Sequence, residues 1–249
     1  MTIGGVCVVK NEDRWIRYAL NSIKEYVEPF IVIDNGSTDR TVPEIKRAGI
    51  TPLIKEGTVK DLRNFAADKT MCDWIWWIDG DEVWCKEEAE KVVEAIMEYK
   101  ADESVSILNP QLYRFIGDRF HYDGKTYRMP RIYRNKDVRM YGQSFPRAID
   151  ALARKESDLK QVQGKFTVEV RVDEPYIKEI DATFYHYSEC NTLLDRTRKW
   201  WGYIHGSNPS HPGNKLLEMV YKQDWGIHSE YKSFIGVQPE VFNIKEEVV

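Results

Sequence analysis

Residues 74–82 read Trp-Ile-Trp-Trp-Ile-Asp-Gly-Asp-Glu, an apolar run that ends in three carboxylates around one glycine. Five consecutive aromatic and β-branched residues predict a buried strand over 74–78. The glycine predicts a tight turn directly after that strand, and the turn would hold Asp79 and Asp81 at the strand's carboxyl end. Carboxylate oxygens on a short loop suit magnesium or manganese, so the stretch predicts a site for a divalent metal ion.

The first hundred residues alternate strand-like and helix-like patterns around this stretch. Strands are predicted over residues 3–9, 30–33 and 51–54, and a helix over 62–70 leads into the acidic strand. Such alternation predicts an α/β fold with a mainly parallel, Rossmann-like central sheet flanked by helices. In sheets of this kind ligands bind beyond the carboxyl ends of the strands, so we expect the functional residues at that edge.

Polar residues follow three of the predicted strands: Asn11 the first, Asp34 the second and Asp79 the fourth. Asp34 opens an Asp-Asn-Gly-Ser-Thr-Asp sequence, where its carboxylate could accept hydrogen bonds from a ribose or a base while the glycine permits close backbone approach. Capping of the next helix by Ser37 or Thr38 is an equally compatible interpretation. Arg63 could point toward the same crevice and pair with a phosphate.

The second half of the chain has a different pattern. After about residue 110 strand-like runs alternate with charged loops, and from residue 191 onward the spacing of apolar residues is helical again. We therefore predict a domain over residues 1–190, subdivided near residue 109, and a helical C-terminal extension over 191–249 that packs on it.

The composition is that of a folded soluble protein, with 42% hydrophobic and 31% charged residues. The four cysteines are far apart with no Cys-x-x-Cys pair, which predicts neither a zinc cage nor a disulfide framework and favours a cytoplasmic setting. No stretch approaches the roughly 20 apolar residues of a membrane span, so we expect no transmembrane segment. Peripheral contact with a membrane stays compatible with the sequence.

The net charge of −4 argues against a nucleic-acid surface over the whole chain. Residues 111–155 nevertheless carry eleven Lys or Arg against four Asp. This segment is either a solvated strand-and-loop region with ordinary ion pairs or a surface for an anionic polymer, with nucleic acid as a less favoured partner.

Four ordered motifs resemble glycosyltransferase family 2, the inverting enzymes of the GT-A fold. The motifs are Lys10-Asn11-Glu12, the Asp34 to Asp39 stretch, Arg63-Asn64 and the Asp79 to Asp81 triplet. The resemblance implies transfer of a sugar from a nucleotide-diphosphate sugar, most simply a UDP-sugar, to an acceptor hydroxyl on a glycan, a glycolipid or another polymer. Residues 1–109 would then bind the donor and residues 110–190 the acceptor.

The same resemblance implies roles for individual residues. Val9, Asn11 and Asp34 would hold the base and the ribose, with Gly80 beside the nucleotide and Asp79 beside the ribose or the metal ion. A Mn²⁺ or Mg²⁺ ion would lie on Asp81.

The second half resembles the family through residues 130–135, Pro-Arg-Ile-Tyr-Arg-Asn, which are similar to a segment of bacterial members that decorate lipopolysaccharide cores. Some of those members continue to Gly-x-Val-His-Glu, whereas residues 142–147 read Gly-Gln-Ser-Phe-Pro-Arg. With that His-Glu pair missing, Asp150 is predicted as the catalytic base, and Asp123 is the other nearby carboxylate. An ordinary surface position is the alternative for Asp150.

Two further residues have predicted roles, His186 from the resemblance and Arg198 from its place on the helix that follows. His186 would complete the metal site, unless it is a structural histidine at a strand end. Arg198 would reach the diphosphate, unless it lies on the solvated face of its helix.

Two other functions compete with this interpretation. The first alternative is a sugar nucleotidylyltransferase, which is built on a related sheet. Its glycine-rich phosphate loop should follow the first strand, whereas Gly4 and Gly5 come before the end of that strand, and this argues against the alternative. A non-catalytic module of the same fold could instead bind an anionic polymer through residues 111–155.

Overall fold

The computed structural model describes residues 1–116, 118–136, 138–141, 145–148, 177–190, 232–234 and 239. Its helices are α1 Ile16–Ile23, α2 Thr41–Arg47, α3 Val59–Thr70 and α4 Lys86–Tyr99. Its strands are β1 Ile3–Val9, β2 Phe30–Asp34, β3 Leu53–Ile54, β4 Trp74–Trp77, β5 Glu82–Trp84, β6 Ile107–Ile116, β7 His121–Arg128, β8 Ile132–Arg134, β9 Val138–Tyr141, β10 Phe145–Ala148, β11 Ile177–Glu189 and β12 Lys232–Ser233.

The chain divides into two compact units. The first comprises residues 1–111, 128–184 and 238–249, and the second comprises residues 112–127 and 185–237. In the first unit the strands follow the order β6–β8–β4–β1–β2–β3. β4, β1, β2 and β3 are parallel, whereas β8 is antiparallel to both β4 and β6. Strand β6 is divided between the units after residue 111, and in the second unit β12 pairs with β7, which is followed in the strand order by the remainder of β6.

The core of the first unit forms between α3 and the parallel strands. Every residue of β1 and β4 is buried, as expected for central strands of a parallel sheet. Buried side chains of α3, among them Leu62 and Ala66, pack against Val6 and Trp77 of these strands. The inner face of α3 also carries Arg63, which is 5% exposed. A charged side chain on a buried helix face needs a counter-charge, and the carboxyl end of β4 supplies it.

Helix α3 begins three residues before the predicted residue 62. The side chain of Thr58 accepts a hydrogen bond from the backbone N–H of Asp61, and its hydroxyl donates to the Asp61 carboxylate at 2.6 Å. This reciprocal cap starts the helix, and Met71 ends it in a left-handed conformation with φ 50°. The cap fixes the turn from which Arg63 reaches the sheet.

The α/β fold is confirmed, with its parallel strands where the apolar runs predicted them. The predicted third strand shortens to Leu53–Ile54, and β5 directly after the acidic turn was not predicted. In the predicted helical extension the structure describes residues 232–234 and 239, of which Lys232–Ser233 form β12. The remainder lies outside the described residues, so the boundary at residue 190 stays a prediction.

Two further expectations concern cysteines and membranes. All four cysteines are free and buried, which agrees with the absence of a disulfide framework. Within the described residues no helix combines the length and the apolar character that crossing a bilayer requires.

Candidate functional site

The carboxyl ends of β1, β2 and β4 lie side by side. Val9 is the parallel partner of Asp34, and Val6 is the partner of Trp77. The turn after β4 packs on the end of β1, because a Cβ atom at Gly80 would come within 2.9 Å of Val9 Cγ2 and 3.1 Å of Glu12 Cβ. Only glycine therefore fits this close approach. The structure thus brings Val9, Asp34 and Gly80 together at one edge of the sheet.

Asp34 has a carboxylate oxygen whose hydrogen-bonding capacity is not used within the described residues. The side chain is 2% exposed, and its Oδ2 accepts a hydrogen bond from the backbone N–H of Ser37 at 3.0 Å. Its Oδ1 is buried and has no hydrogen-bond partner among the described residues. A buried acceptor without a donor costs about 1–3 kcal/mol, which a ligand N–H or O–H would offset. The loop that follows turns at Gly36, where φ is 78°.

Asn11 connects the loops after β1 and β2. Its backbone N–H donates to Ser37 Oγ at 2.9 Å, and its Oδ1 accepts from the backbone N–H of Thr38 at 2.8 Å. The residue itself adopts a left-handed conformation with φ 56°. Asn11 thus fixes the loop that carries Asp34. Ser37 and Thr38 do not cap α2, because Asp39 Oδ1 accepts the backbone N–H of Thr41 instead, at 2.9 Å.

Asp79 is held by three donors. Arg63 Nη2 donates to Oδ1 at 2.5 Å and Trp77 Nε1 donates to the same oxygen at 2.9 Å. Arg131 Nη2 donates to Oδ2 at 3.2 Å. The side chain of Asp79 is 29% exposed, whereas those of Arg63 and Arg131 are 6% and 4% exposed. The two arginines therefore approach the carboxylate from inside the protein and leave part of it accessible.

The charges around Asp79 keep its carboxylate ionised. Burial alone would raise the pKa of Asp79, but the guanidinium groups of Arg63 and Arg131 hold it below its usual value. Burial lowers the pKa of Arg63, whereas Glu82 and Asp79 outweigh burial and raise the pKa of Arg131. Both guanidinium groups also lie over the Trp77 ring, 3.5 Å and 4.4 Å from its centroid. The cluster is consequently charged, packed and fixed in orientation.

Glu82 is the buried counter-charge of Arg131. Its side chain is fully buried, Oε2 accepts from Arg131 Nε at 2.8 Å, and Oε1 accepts from Arg131 Nη2. Oε2 also accepts the backbone N–H of Asp79 at 3.1 Å, which closes the turn. Sequence reasoning missed the pairing of Arg131 with Glu82 and Asp79. The available signal was an arginine next to an apolar strand, since a buried guanidinium requires a carboxylate partner.

The acidic turn carries oxygen donors of the kind that bind divalent cations. Asp81 is 3% exposed, and its charge acts on the pKa of both Asp79 and Arg131. Within the described residues no three His, Cys, Asp or Glu side chains are placed to hold a metal ion together. Magnesium is typically held by one or two carboxylates with substrate phosphates and water, so the oxygen donors of this turn suit it.

The structure does not test the predicted roles of the remaining site residues, His186, Asp150 and Arg198. His186 is half-buried on β11 and belongs to the second unit, whereas Asp81 belongs to the first. Asp150 and Arg198 lie outside the described residues. Asp123 is engaged by neighbours, because its Oδ2 accepts from Arg114 Nη2 at 2.7 Å and from the Tyr127 hydroxyl at 2.6 Å.

Many of the basic side chains in residues 111–136 form ion pairs within the protein or are buried. Arg114 pairs with Asp123, Arg128 with Glu179 and Lys136 with Glu103. Arg131 and Arg134 are buried, at 3% and 7% exposure. For the described part of residues 111–136, these contacts favour the ion-pair interpretation over a polymer-binding surface, whereas residues 149–155 lie outside the described residues.

A family model described as "Glycosyl transferase family 2" matches residues 6–160, more than half of the chain. The chain belongs to glycosyl transferase family 2. This family 2 chain is 30% identical over 142 residues to an uncharacterized glycosyltransferase of Rickettsia prowazekii (strain Madrid E), an alignment that covers 55% of this chain and 45% of the relative. It is 31% identical over 141 residues to the SPbeta prophage-derived glycosyltransferase SunS of Bacillus subtilis (strain 168), covering 54% of this chain and 32% of SunS.

The family 2 chain therefore spans less than half the length of these curated relatives. Among solved structures, one similar chain is glucosyl-3-phosphoglycerate synthase from Mycobacterium tuberculosis in complex with Mn²⁺ and UDP-glucose. The likeness has a TM-score of 0.39 and 20% identity, and it covers 45% of this chain and 43% of that chain. The predicted closeness to lipopolysaccharide-core members stays a prediction.

Proposed function

We propose that this protein is a glycosyltransferase that moves a sugar from a nucleotide-diphosphate sugar to an acceptor hydroxyl with inversion, using Mn²⁺ or Mg²⁺. The observation that carries the proposal is the buried Oδ1 of Asp34, which has no hydrogen-bond partner among the described residues. It lies beside the end of β1 and at the same edge of the sheet as the Asp79 turn. An acceptor without a partner at the end of β2 and a charged acidic turn after β4, on the two sides of β1, suit a ligand with a hydrogen-bond donor at one end and phosphates at the other.

Asp34 is the proposed contact of the nucleoside. Its Oδ1 would accept a hydrogen bond from a ring N–H of the base, which uracil carries, or from a ribose hydroxyl. Val9, next to Asp34 in the sheet, and Asn11, which fixes the Asp34 loop, complete this part of the site. Because Asp34 is fixed by Ser37, little order would have to be created on binding.

The acidic turn is the proposed contact of the ribose and the diphosphate. Asp81 would hold the metal ion with oxygens of the diphosphate, and Asp79 and Gly80 would lie beside the nucleotide. When bound, the metal ion neutralises the diphosphate and stabilises the charge of the leaving group. Arg63 contributes from behind Asp79, because its guanidinium is buried against that carboxylate rather than free at the surface.

The acceptor side rests on residues predicted from the sequence. Asp150 remains the proposed base that takes the proton from the acceptor hydroxyl, since direct displacement releases that proton as the new bond forms. His186 and Arg198 remain proposed for the metal ion and the diphosphate. The acceptor is proposed to be a glycan, a glycolipid or another hydroxyl-bearing polymer, and the setting cytoplasmic, with peripheral contact to a membrane for a lipid-linked acceptor.

Calorimetric titration of uridine, guanosine, thymidine and cytidine diphosphate sugars, with and without Mn²⁺, tests the proposal. We expect one donor to bind in a Mn²⁺-dependent manner and Asp81→Ala to abolish that binding. The matched control is Asp73→Ala, because Asp73 precedes the other end of β4 and its side chain is 59% exposed. Failure of the folded wild-type protein to bind any of these donors contradicts the proposed function.

A further inference from the structure

The two arginines of the Pro-Arg-Ile-Tyr-Arg segment have separate tasks. Arg134 donates from Nε to the Val105 carbonyl at 2.7 Å and from its two Nη atoms to carbonyls that follow α4, at Lys100 and Asp102. Its contacts are therefore with backbone at the carboxyl end of a helix. Arg131, three residues earlier, directs its side chain to the acidic turn instead.

Arg131 is fixed to β4 through its own backbone. Its carbonyl accepts the backbone N–H of Trp77 at 2.8 Å, and its guanidinium lies over the ring of the same residue. From this position the planar fork donates to Glu82 through Nε and Nη2, and Nη2 also reaches Asp79. Arg131 thus joins the two carboxylates that stand at either end of the four-residue turn.

The Asp79 carboxylate has a hydrogen-bond acceptor position that remains for a ligand. A carboxylate offers about four acceptor positions, two on each oxygen. Oδ1 already accepts from Arg63 and Trp77, whereas Oδ2 accepts from Arg131 alone among the described residues. With 29% of the side chain exposed, the remaining acceptor position is on Oδ2, the oxygen that Arg131 holds.

We propose that Arg131 is a positioning residue that orients Asp79 for the donor, with Glu82 as its fixed counter-charge. This assignment deepens the proposed function and rests on it for the identity of the ligand. Glu82 is then a partner of Arg131 and not a metal ligand, because it is fully buried and both of its oxygens accept from Arg131. The orientation of Asp79 itself is a property of the chain that can be observed without any donor.

The test needs a variant that removes Arg131 without leaving a buried charge. Arg131→Met alone would strand the Glu82 carboxylate and is expected to unfold the protein. The double variant Arg131→Met/Glu82→Gln removes both charges, and the Gln carbonyl can still accept the Asp79 backbone N–H. Arg131→Lys is the second variant, because it keeps a positive charge next to Glu82 but replaces the fork by a single ammonium. Arg134→Met is the matched control.

Two measurements are made on each folded variant: a crystal structure without donor, and the affinity for the donor that the wild type binds. We expect the Asp79 carboxylate to rotate in the double variant and in Arg131→Lys, and donor affinity to fall at least tenfold. Arg134→Met should change neither. An unchanged Asp79 orientation, or an unchanged affinity despite rotation, overturns the assignment. If the wild type binds no donor, the proposed function fails, while the crystal structures still decide whether Arg131 orients Asp79.

Discussion

The position of a Cβ atom at Gly80 lies 2.9 Å from Val9 Cγ2, closer than side chains normally approach. The acidic turn therefore reaches the end of β1 only because residue 80 has no side chain. We expect Gly80→Ala to destabilise the protein by about 1–3 kcal/mol in urea unfolding, since an added methyl group must displace the turn or its neighbours.

The clash between a methyl group at residue 80 and Val9 can also be relieved by shortening Val9. Val9→Ala removes Cγ2, so Gly80→Ala/Val9→Ala should lose less stability than the sum of the two single variants. Strict additivity of the unfolding free energies would show that the two residues do not compete for the same space.

Asp34→Asn separates ligand binding from loop structure. The amide oxygen can still accept the Ser37 backbone N–H. The NH₂ group takes the place of Oδ1, the buried acceptor that has no partner among the described residues. We expect stability to change by less than about 1 kcal/mol and donor affinity to fall by about 10- to 100-fold, as measured by calorimetry.

The control for that substitution is Asp39→Asn in the same loop. Asp39 Oδ1 accepts from Thr41 and Oδ2 accepts from the Asp13 backbone, so both oxygens have a partner among the described residues. Its substitution should leave the donor affinity unchanged. Equal losses of affinity in both variants would assign the effect to the loop and not to the Asp34 acceptor.

The pH dependence of stability should reveal the environment of Asp79. Because its pKa is lower in the folded protein than in the unfolded chain, ionised Asp79 stabilises the fold above the unfolded pKa of about 3.9. That contribution is lost as the pH falls from about 4 through the lower folded pKa. Asp79→Asn should therefore flatten the dependence of the unfolding free energy on pH below about 4. A variant that follows the wild-type curve in this window would contradict the expectation.

Arg134→Met should cost stability and leave binding intact. Arg134 donates to the carbonyls of Tyr99, Lys100, Asp102 and Val105, and its guanidinium lies 4.6 Å from the Trp74 ring centroid. Removal of these donors should lower the unfolding free energy by about 2–4 kcal/mol, measured by urea titration. A loss of stability below about 1 kcal/mol would mean that water replaces the arginine at these carbonyls.

The sequence predicted the parts of the site that local patterns determine. An apolar run closed by Asp79-Gly80-Asp81 gave the strand and its turn, and alternation of strands with helices placed Asp34 at the same edge. These predictions depend on near neighbours and on the general geometry of parallel sheets.

The network behind the turn could not be predicted in the same way. Arg131 and Glu82 are 49 residues apart, and Arg131 meets Asp79 across 52 residues. No local periodicity shows which partner a buried arginine will contact. Arg131 and Arg134 are therefore equivalent in the sequence and differ only in the groups that surround them. The choice of a catalytic base is a similar case. Asp123 is one of the nearest carboxylates in the sequence to residues 142–147, where the His-Glu pair is absent, yet Arg114 and Tyr127 already engage it.

Because every cysteine is buried, the alkylation rates of the thiols can report local opening of the fold. Burial raises the pKa of Cys7 well above its usual value, and the nearby Asp79 carboxylate adds to the effect. We therefore expect this thiol in the centre of β1 to resist alkylating reagents while the sheet is closed. Cys72, Cys85 and Cys190 are likewise covered, at 8%, 2% and 2% exposure. The rate at which each cysteine becomes alkylated therefore reports the frequency of local opening at its own position, without any introduced label.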